Sequence, residues 1–332
     1  MDSADIATMT AIITVVVGAI MKPFVAFLHR DSAYYWPFLL LTLALGLGVH
    51  LLWLRGSLGQ FRRAYFSRTL WWHPSVRADY RYYLVNGILY PLVFAPMVLS
   101  GLAVALWLRG LLGDALTGLA GPWGGLPRLI FTLLFFVLYD LGRFISHSML
   151  HDVPVLWEFH KVHHSAEALI PLTASRVHPV DLLVMAFFPN LLTGLLLGLF
   201  QAVWGDDVGF HTVLGLHAII FVFDAVGNLK HWQVPISYGR LEGVLISPVM
   251  HQVHHSRLPQ HWGKNRGFEL AIWDRLLGTY HRPQPGEATP FGLGDGSDGQ
   301  WHRLDRMLLW PFKLLLTRPT PAAKRDQIPP SI

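Results

Sequence analysis

The chain has 332 residues, 52% of them hydrophobic and only 14% charged, with no cysteine and a formal net charge of +5. Soluble domains carry roughly 25% charged residues, so this deficit, with a mean hydropathy of +0.39, points to a bilayer. Zero cysteines exclude disulfides, iron–sulfur clusters, thiolate-ligated haem and a cysteine nucleophile, and the basic residues flank apolar runs instead of interleaving on a polar face, which excludes a nucleic-acid partner.

Taken in chain order, the first apolar run, 6–28, is interrupted by Lys22 and Pro23 and either spans or dips into the bilayer. Asp2 and Asp5 ahead of it, with no clear small-residue cleavage site behind, argue against a secretory signal. The runs 34–54, 84–108, 129–146, 180–204 and 208–226 are each near the roughly 20 residues that cross hydrocarbon. Between the first two of these, residues 55–83 carry Arg55, Arg62, Arg63, Arg68, Arg77 and Arg81 against Asp79 alone. The positive-inside rule places that loop in the cytoplasm, the loop 109–128 outside, and the end of 129–146 back in the cytoplasm. Asp206-Asp207 fits an outer hairpin tip. Gly194 and Gly198, four apart in an apolar run, allow close helix packing. Gly292 to Gly299 follows no strand and opens no helix, so it reads as a loop and not as a dinucleotide fingerprint. Residues 301–316 mix Trp301, Leu304, Leu308 and Trp310 with Arg303, Arg306 and Lys313, the pattern of a helix lying in the interface. The tail from Thr317 is Pro-rich and reads as disordered. The expected fold is all-α: a multi-pass helical bundle with a histidine-rich cytoplasmic cap, divided at 1–128, 129–281 and 282–332.

Chemistry concentrates in histidine. Of 18 histidines, twelve fall between 147 and 255. They include His147-Ser-Met-Leu-His151, His160-Lys-Val-His163-His164 and His251-Gln-Val-His254-His255, with spacings i, i+3 and i+4 that share one helix face. Isolated residues such as His29, His50, His73 and His302 are read as structural. Burying clustered, unpaired imidazoles is costly, and a metal supplies the missing partner. Eight clustered ligands exceed the needs of one ion, so two ions are the economical answer. H-E-x-x-H and Glu-x-x-His pairs are absent, and imidazole suits iron, zinc, copper and nickel alike, so ligand type leaves the metal open. His231 is a ninth candidate, with Asn228 on the same helical face, and His178 before Pro179 is evenly a ligand or a supporting residue. His211 and His217 sit toward the outer end of 208–226 and read as structural or pore-side residues. Asp140 and Asp224 each lie seven residues before a candidate ligand, His147 and His231, within apolar runs. An ionisable group at that depth is usually functional, here to accept the second ring N–H of a ligand or to bind Arg143 or Lys230.

The order H-x-x-x-H, H-x-x-H-H, H-x-x-H-H on a multi-helix membrane protein resembles the fatty acid hydroxylase/sterol desaturase superfamily. So do the surroundings: Trp157-Glu-Phe-His160, Arg176-Val-His178-Pro179, Ser247-Pro248-Val-Met-His251, Lys264-Asn265-Arg-Gly267 and Trp273-Asp274-Arg-Leu-Leu-Gly278-Thr279. The likeness covers roughly 130–281. It implies two iron ions that use O2 as co-substrate to hydroxylate or desaturate a lipid C–H bond. The implied ligands are His147, His151, His160, His163, His164, His231, His251, His254 and His255. Some relatives have a histidine around position 233, where this chain has Gln233. Asp274 is expected as an acceptor behind a ligand and Gly278 as a helix C-terminal turn residue. No cytochrome b5-like, flavin, nicotinamide or ferredoxin fingerprint is present, so an external electron donor is implied: a ferredoxin, a cytochrome b5-type protein or a reductase. The competing readings are a zinc-dependent membrane hydrolase with Glu158 or Glu167 as base, a histidine-rich metal transporter, and a lipid sensor without catalysis. The clusters lie beyond the ends of the apolar runs, which argues against a transporter. The lack of a C-terminal retrieval motif leans toward a bacterial inner membrane over the endoplasmic reticulum.

Overall fold

The computed structural model describes residues 3–30, 32–113, 115–205, 208–209, 227–284, 286–287 and 289–317. Helices dominate them, and among the described residues the only β pairing is two isolated bridges, Leu245 with Leu270 and Ser256 with Phe291. Five segments are long and apolar enough to cross a membrane: Ala7–Leu28, Trp36–Trp53, Pro74–Leu112, Gly125–Asp152 and Pro179–Trp204. Their outward faces carry exposed Val15, Leu40, Leu106 and Leu133, side chains that a lipid surface covers at no cost.

α1 (Ser3–Val25) continues through a 3-10 turn to Leu28. α2 (Trp36–Gly48) continues as a π turn to Trp53. The arginine-rich segment folds into α3 (Leu58–Tyr65), started by a capping box between Ser57 and Gln60, and the single turn α4 (Arg68–Trp71), capped by Ser67. The apolar run 84–108 is not one helix. α5 (Pro74–Leu89) passes into a π turn and a 3-10 turn, and α6 (Gly101–Leu112) starts afresh behind Ser100. Pro91 and Pro96 are the cause: each lacks an N–H and its ring clashes with the carbonyl four residues back.

α7 (Gly125–Asp152) and α9 (Pro179–Trp204) are the long helices, and α9 packs against both α6 and α7. Their approach depends on absent side chains, as the spacing of Gly194 and Gly198 implied. A Cβ at Gly194 would meet the Gly101 carbonyl oxygen at 2.5 Å, and one at Gly198 the Ala105 oxygen at 2.6 Å. α8 (Pro154–His164) turns back from the end of α7 after Val153. The second arm of the expected hairpin, 208–226, lies almost wholly outside the described residues, and with it Asp224, His211 and His217.

The chain then forms α10 (Pro248–His254), behind the Ser247 cap, and α11 (Ile272–Leu277). Gly278 ends α11 with φ of 73°, the left-handed turn expected of it. The glycine-rich stretch is a loop whose Leu293 and Gly294 N–H groups donate to Asp298. α12 (Leu304–Thr317) does more than lie in an interface: Trp301 and Met307 are buried with Ala78, Tyr82 and Val162 of α5 and α8.

Candidate metal centre

All nine expected histidines converge, in two sets. His147, His151, His160, His164 and His254 form the first, and His163, His231, His251 and His255 the second; within each set, one ring nitrogen per residue lies within 4.8 Å of all the others. His147 and His151 end α7, His160 to His164 end α8, and His251 to His255 end α10, so three helix C-termini deliver eight of the nine. Eight of the nine are buried, and His151 is partly exposed beside Trp157.

The ring nitrogens turned away from each set decide what the inner ones are. His147 Nδ1 faces the Arg266 carbonyl at 2.7 Å, His254 Nδ1 the Lys264 carbonyl at 2.8 Å and His163 Nδ1 the Arg176 carbonyl at 3.2 Å. His160 Nδ1 meets Asp181 Oδ2 at 2.6 Å. A carbonyl oxygen only accepts, so each of the three Nδ1 atoms facing one carries the proton and its Nε2 is a bare lone pair; Asp181 Oδ2, accepting from His160 Nδ1–H, fixes the same tautomer there. Yet His147 Nε2 lies 3.2 Å from His254 Nε2 and 3.1 Å from His160 Nε2. Three lone pairs at that distance cannot bond to one another and repel.

A cation between them resolves the conflict. Nitrogens about 2.1 Å from a shared ion, at angles of about 90–109°, are separated by roughly 3.0–3.4 Å. The neighbouring Nε2 pairs fall at 3.1–3.3 Å in the first set and 3.1–3.3 Å in the second. The residues therefore fit a metal ion in each set. Protons do not compete at neutral pH. Burial, reinforced by neighbouring imidazoles, holds His164, His231, His251 and His255 well below the usual histidine value. Burial pushes His163 down to about 4 and His254 to about 3. All are neutral, the state in which imidazole ligates.

The supporting shell differs from expectation. Asp181, in the first turn of α9, is the one carboxylate bonded to a ligand among the described residues, and sequence reasoning passed over it as part of an apolar run. Asp140 does not touch a histidine; it accepts from the Glu269 and Leu270 N–H groups and from Trp273 Nε1 at 2.8 Å, fixing the loop over α7. Asp274 likewise accepts from the Arg266 and Gly267 N–H groups, both at 2.8 Å, and from Thr279. Both carboxylates hold the backbone whose Arg266 and Lys264 carbonyls orient His147 and His254. Lys230 pairs with Glu269 at 2.9 Å, and Arg143 lies over the Phe268 ring, 3.9 Å from its centroid. His178 is outside both sets: Nδ1 caps α9 by accepting from Val180 N–H, and Nε2 donates to the Leu308 carbonyl. Asn228 donates its Nδ2–H to the Ala33 carbonyl at 2.7 Å, and its Oδ1 is buried without a hydrogen-bond partner. Arg176, fully buried, is a hub. It pairs with Asp79 at 2.9 Å, donates to Ser165, Val162, Ser75 and Trp301, and offers its own carbonyl to His163.

Residues 132–279 match the fatty acid hydroxylase family, the segment that carries every one of these histidines. The chain is 30% identical over 170 residues to the ornithine lipid hydroxylase OlsE of Rhizobium tropici, covering 50% of this chain and 46% of the relative. It is 27% identical over 194 residues to the alkylglycerol monooxygenase of Caenorhabditis elegans, 58% of this chain and 35% of the relative. It is 26% identical over 228 residues to a Delta(7)-sterol 5(6)-desaturase of Candida glabrata, 66% of this chain and 54% of the relative. The chain thus spans about half or less of the length of these curated relatives. No solved structure matches it. The histidine-bearing segment thus matches the fatty acid hydroxylase family, and these curated relatives are oxidoreductases of lipids, the likeness its motifs implied.

Proposed function

We propose that the chain is a membrane-bound, O2-dependent lipid oxygenase whose nine histidines hold two iron ions, five ligands on one and four on the other. The observation that carries this reading is the convergence of Nε2 lone pairs, fixed by outward Nδ1–H bonds, within a segment of fatty acid hydroxylase sequence. Iron held there would supply the redox chemistry that converts a C–H bond, O2, two electrons and two protons to C–OH and water, or two adjacent C–H bonds with the same O2, electrons and protons to a double bond and two waters. The protein's own part is to keep the ligands neutral, to fix their tautomers through Asp181 and the carbonyls of Arg176, Lys264 and Arg266, and to hold the centre at the end of α7 beside lipid-facing helices. The substrate is a bilayer lipid, fatty acyl, sterol or related. The electrons come from a separate donor, a ferredoxin, a cytochrome b5-type protein or a reductase, and the centre faces the cytoplasm of a bacterial inner membrane.

The zinc hydrolase reading finds no support in its two candidate bases. Glu158 is buried against Lys161 at 3.0 Å and Glu167 pairs with His302 at 2.6 Å, and neither belongs to either histidine set. The test is metal content per chain in detergent-purified protein, with Mössbauer spectroscopy on 57Fe-grown material. About two coupled high-spin irons support the reading. Stoichiometric zinc without iron, persisting in anaerobic preparations from iron-supplemented cells, overturns it.

A further inference from the structure

Outside the nine ligands, three more metal-binding side chains meet. His261 closes a 3-10 turn after α10, His281 follows α11, and Glu287 lies six residues further on. His261 Nε2 is 2.8 Å from Glu287 Oε1, and His281 Nε2 is 3.1 Å from Oε1 and 3.2 Å from Oε2. The two imidazole centroids are 5.2 Å apart. The three donor atoms lie within 4.8 Å of one another. The His261 side chain is fully buried, and its Nδ1 has no partner, so all its polar interaction runs toward Glu287. His281 and Glu287 are 26% and 18% exposed, which leaves solvent an approach on that side.

We propose that His261, His281 and Glu287 form a third, mononuclear site for a divalent transition metal of zinc type, separate from the nine-histidine centre. Two imidazoles and a carboxylate, with a fourth position open to water, are the donor set of a three-ligand zinc site. Tetrahedral ligands about 2.05 Å from zinc are spaced about 3.3 Å apart, and the two nitrogen–oxygen spacings present are 2.8 and 3.1 Å. Burial raises the Glu287 carboxyl, but the Gln284 N–H and the two imidazoles outweigh it and hold it near 2, ionised and ready to bind a cation.

The site sits where a clamp has leverage. His261 and His281 bracket the loop whose Lys264 and Arg266 carbonyls orient His254 and His147. The His281 N–H donates to Asn265 Oδ1, and the Asn265 N–H donates to the Thr279 carbonyl, so the two ends of that loop are already joined beside the third site. An ion bound there ties both ends to Glu287.

The test compares metal content per chain in full-length wild type and in His281→Gln, Glu287→Gln and the double variant, all purified in detergent from zinc-supplemented cells. The variants leave buried His261 in place, and gel-filtration profile and melting temperature establish that they fold. About one zinc ion fewer per chain in each variant is expected, whatever the nine histidines hold. If the iron reading fails, iron is missing from wild type and variants alike while the zinc difference stands. As a second readout, wild type titrated with Co2+ is expected to develop the intense visible bands of four-coordinate cobalt, displaced by Zn2+ and missing in the double variant. Equal metal content in all proteins, with cobalt spectra that the substitutions leave unchanged, would mean a hydrogen-bonded trio only and would overturn the proposal.

Discussion

Asp181 offers the sharpest test of how the metal centre is held. Its Oδ2 lies 2.6 Å from His160 Nδ1 with both side chains buried, and its Oδ1 has no partner, so His160 is the carboxylate's one strong contact. Asp181→Asn keeps the shape and an accepting oxygen but removes the charge. A hydrogen bond to a charged group contributes about 1.5–3 kcal/mol and a neutral one about 0.5–1.5. The difference, about 1–1.5 kcal/mol, is close to tenfold in affinity at 1.4 kcal/mol per decade. Asp181→Ala also strands a buried N–H, which brings the expected loss near the hundredfold end of the range for partners behind metal-bound histidine. The assay is competition for iron against a chelator of graded strength, with melting temperature as a check on folding. Glu158→Gln is the control: Glu158 is as buried and pairs with Lys161, and it belongs to neither histidine set, so its affinity should match wild type. Asp181→Asn and Asp181→Ala both retaining iron at wild-type affinity would refute the argument that this carboxylate sets the His160 tautomer.

Arg176→Met should lower stability by about 3–5 kcal/mol, because Asp79 is left as an uncompensated buried charge, and thermal melting in detergent measures it. Gly198→Ala puts a Cβ 2.6 Å from the Ala105 oxygen, so α6 and α9 must separate; a loss of about 1–3 kcal/mol is expected, read from the same melts. His178→Ala removes an N-cap, so a loss of about 1 kcal/mol with unchanged metal content is the expected outcome; loss of an ion would make His178 a ligand. Burial holds His178 down to about 4, against an ordinary value of 6.5. Its folded value is below its unfolded one, so its contribution is complete above about pH 6.5 and lost as pH falls toward 4. The melting temperature of His178→Asn should therefore decline less steeply over that window than that of wild type.

The ligands were legible because a helix enforces a period. Residues three and four apart share a face, and histidine repeated at those intervals has few other uses. What aligns the ligands was not legible. The carbonyls of Arg176, Lys264 and Arg266 belong to the backbone, and no side chain advertises them. Asp140 and Asp274 drew notice as buried acids, yet they act one step further out, holding that backbone and no imidazole. Asp181 had a usable signal, an acid in the first turn behind Pro179, where the helix dipole also favours it, but it lay inside the apolar run 180–204 and was passed over. The interruption of 84–108 was open to view in Pro91 and Pro96; hydropathy averages over both. His261, His281 and Glu287 are 20 and six residues apart and share no element, so only the folded chain brings them together.

The two sets are related by an exchange of roles between α8 and α10. From its first histidine, each helix places the residue at i+3 about 60° to one side and that at i+4 about 40° to the other. α8 gives His160 and His164 to the first set and His163 to the second; α10 gives His251 and His255 to the second and His254 to the first. Each H-x-x-H-H motif therefore straddles the seam, and neither set can assemble without both helices. Helix length then fixes where that seam lies. α7 has 28 residues, about 42 Å at 1.5 Å per residue, whereas a hydrocarbon core of about 30 Å takes up about 20 of them. A helix entering the core near Gly125 has its last two turns, with His147 and His151, beyond the hydrocarbon. α9 starts at the same end and holds Asp181 in its first turn against His160. With that entry point, ligands and carboxylate meet at the bilayer boundary, where polar partners are available to the protein and the apolar part of a lipid is close at hand.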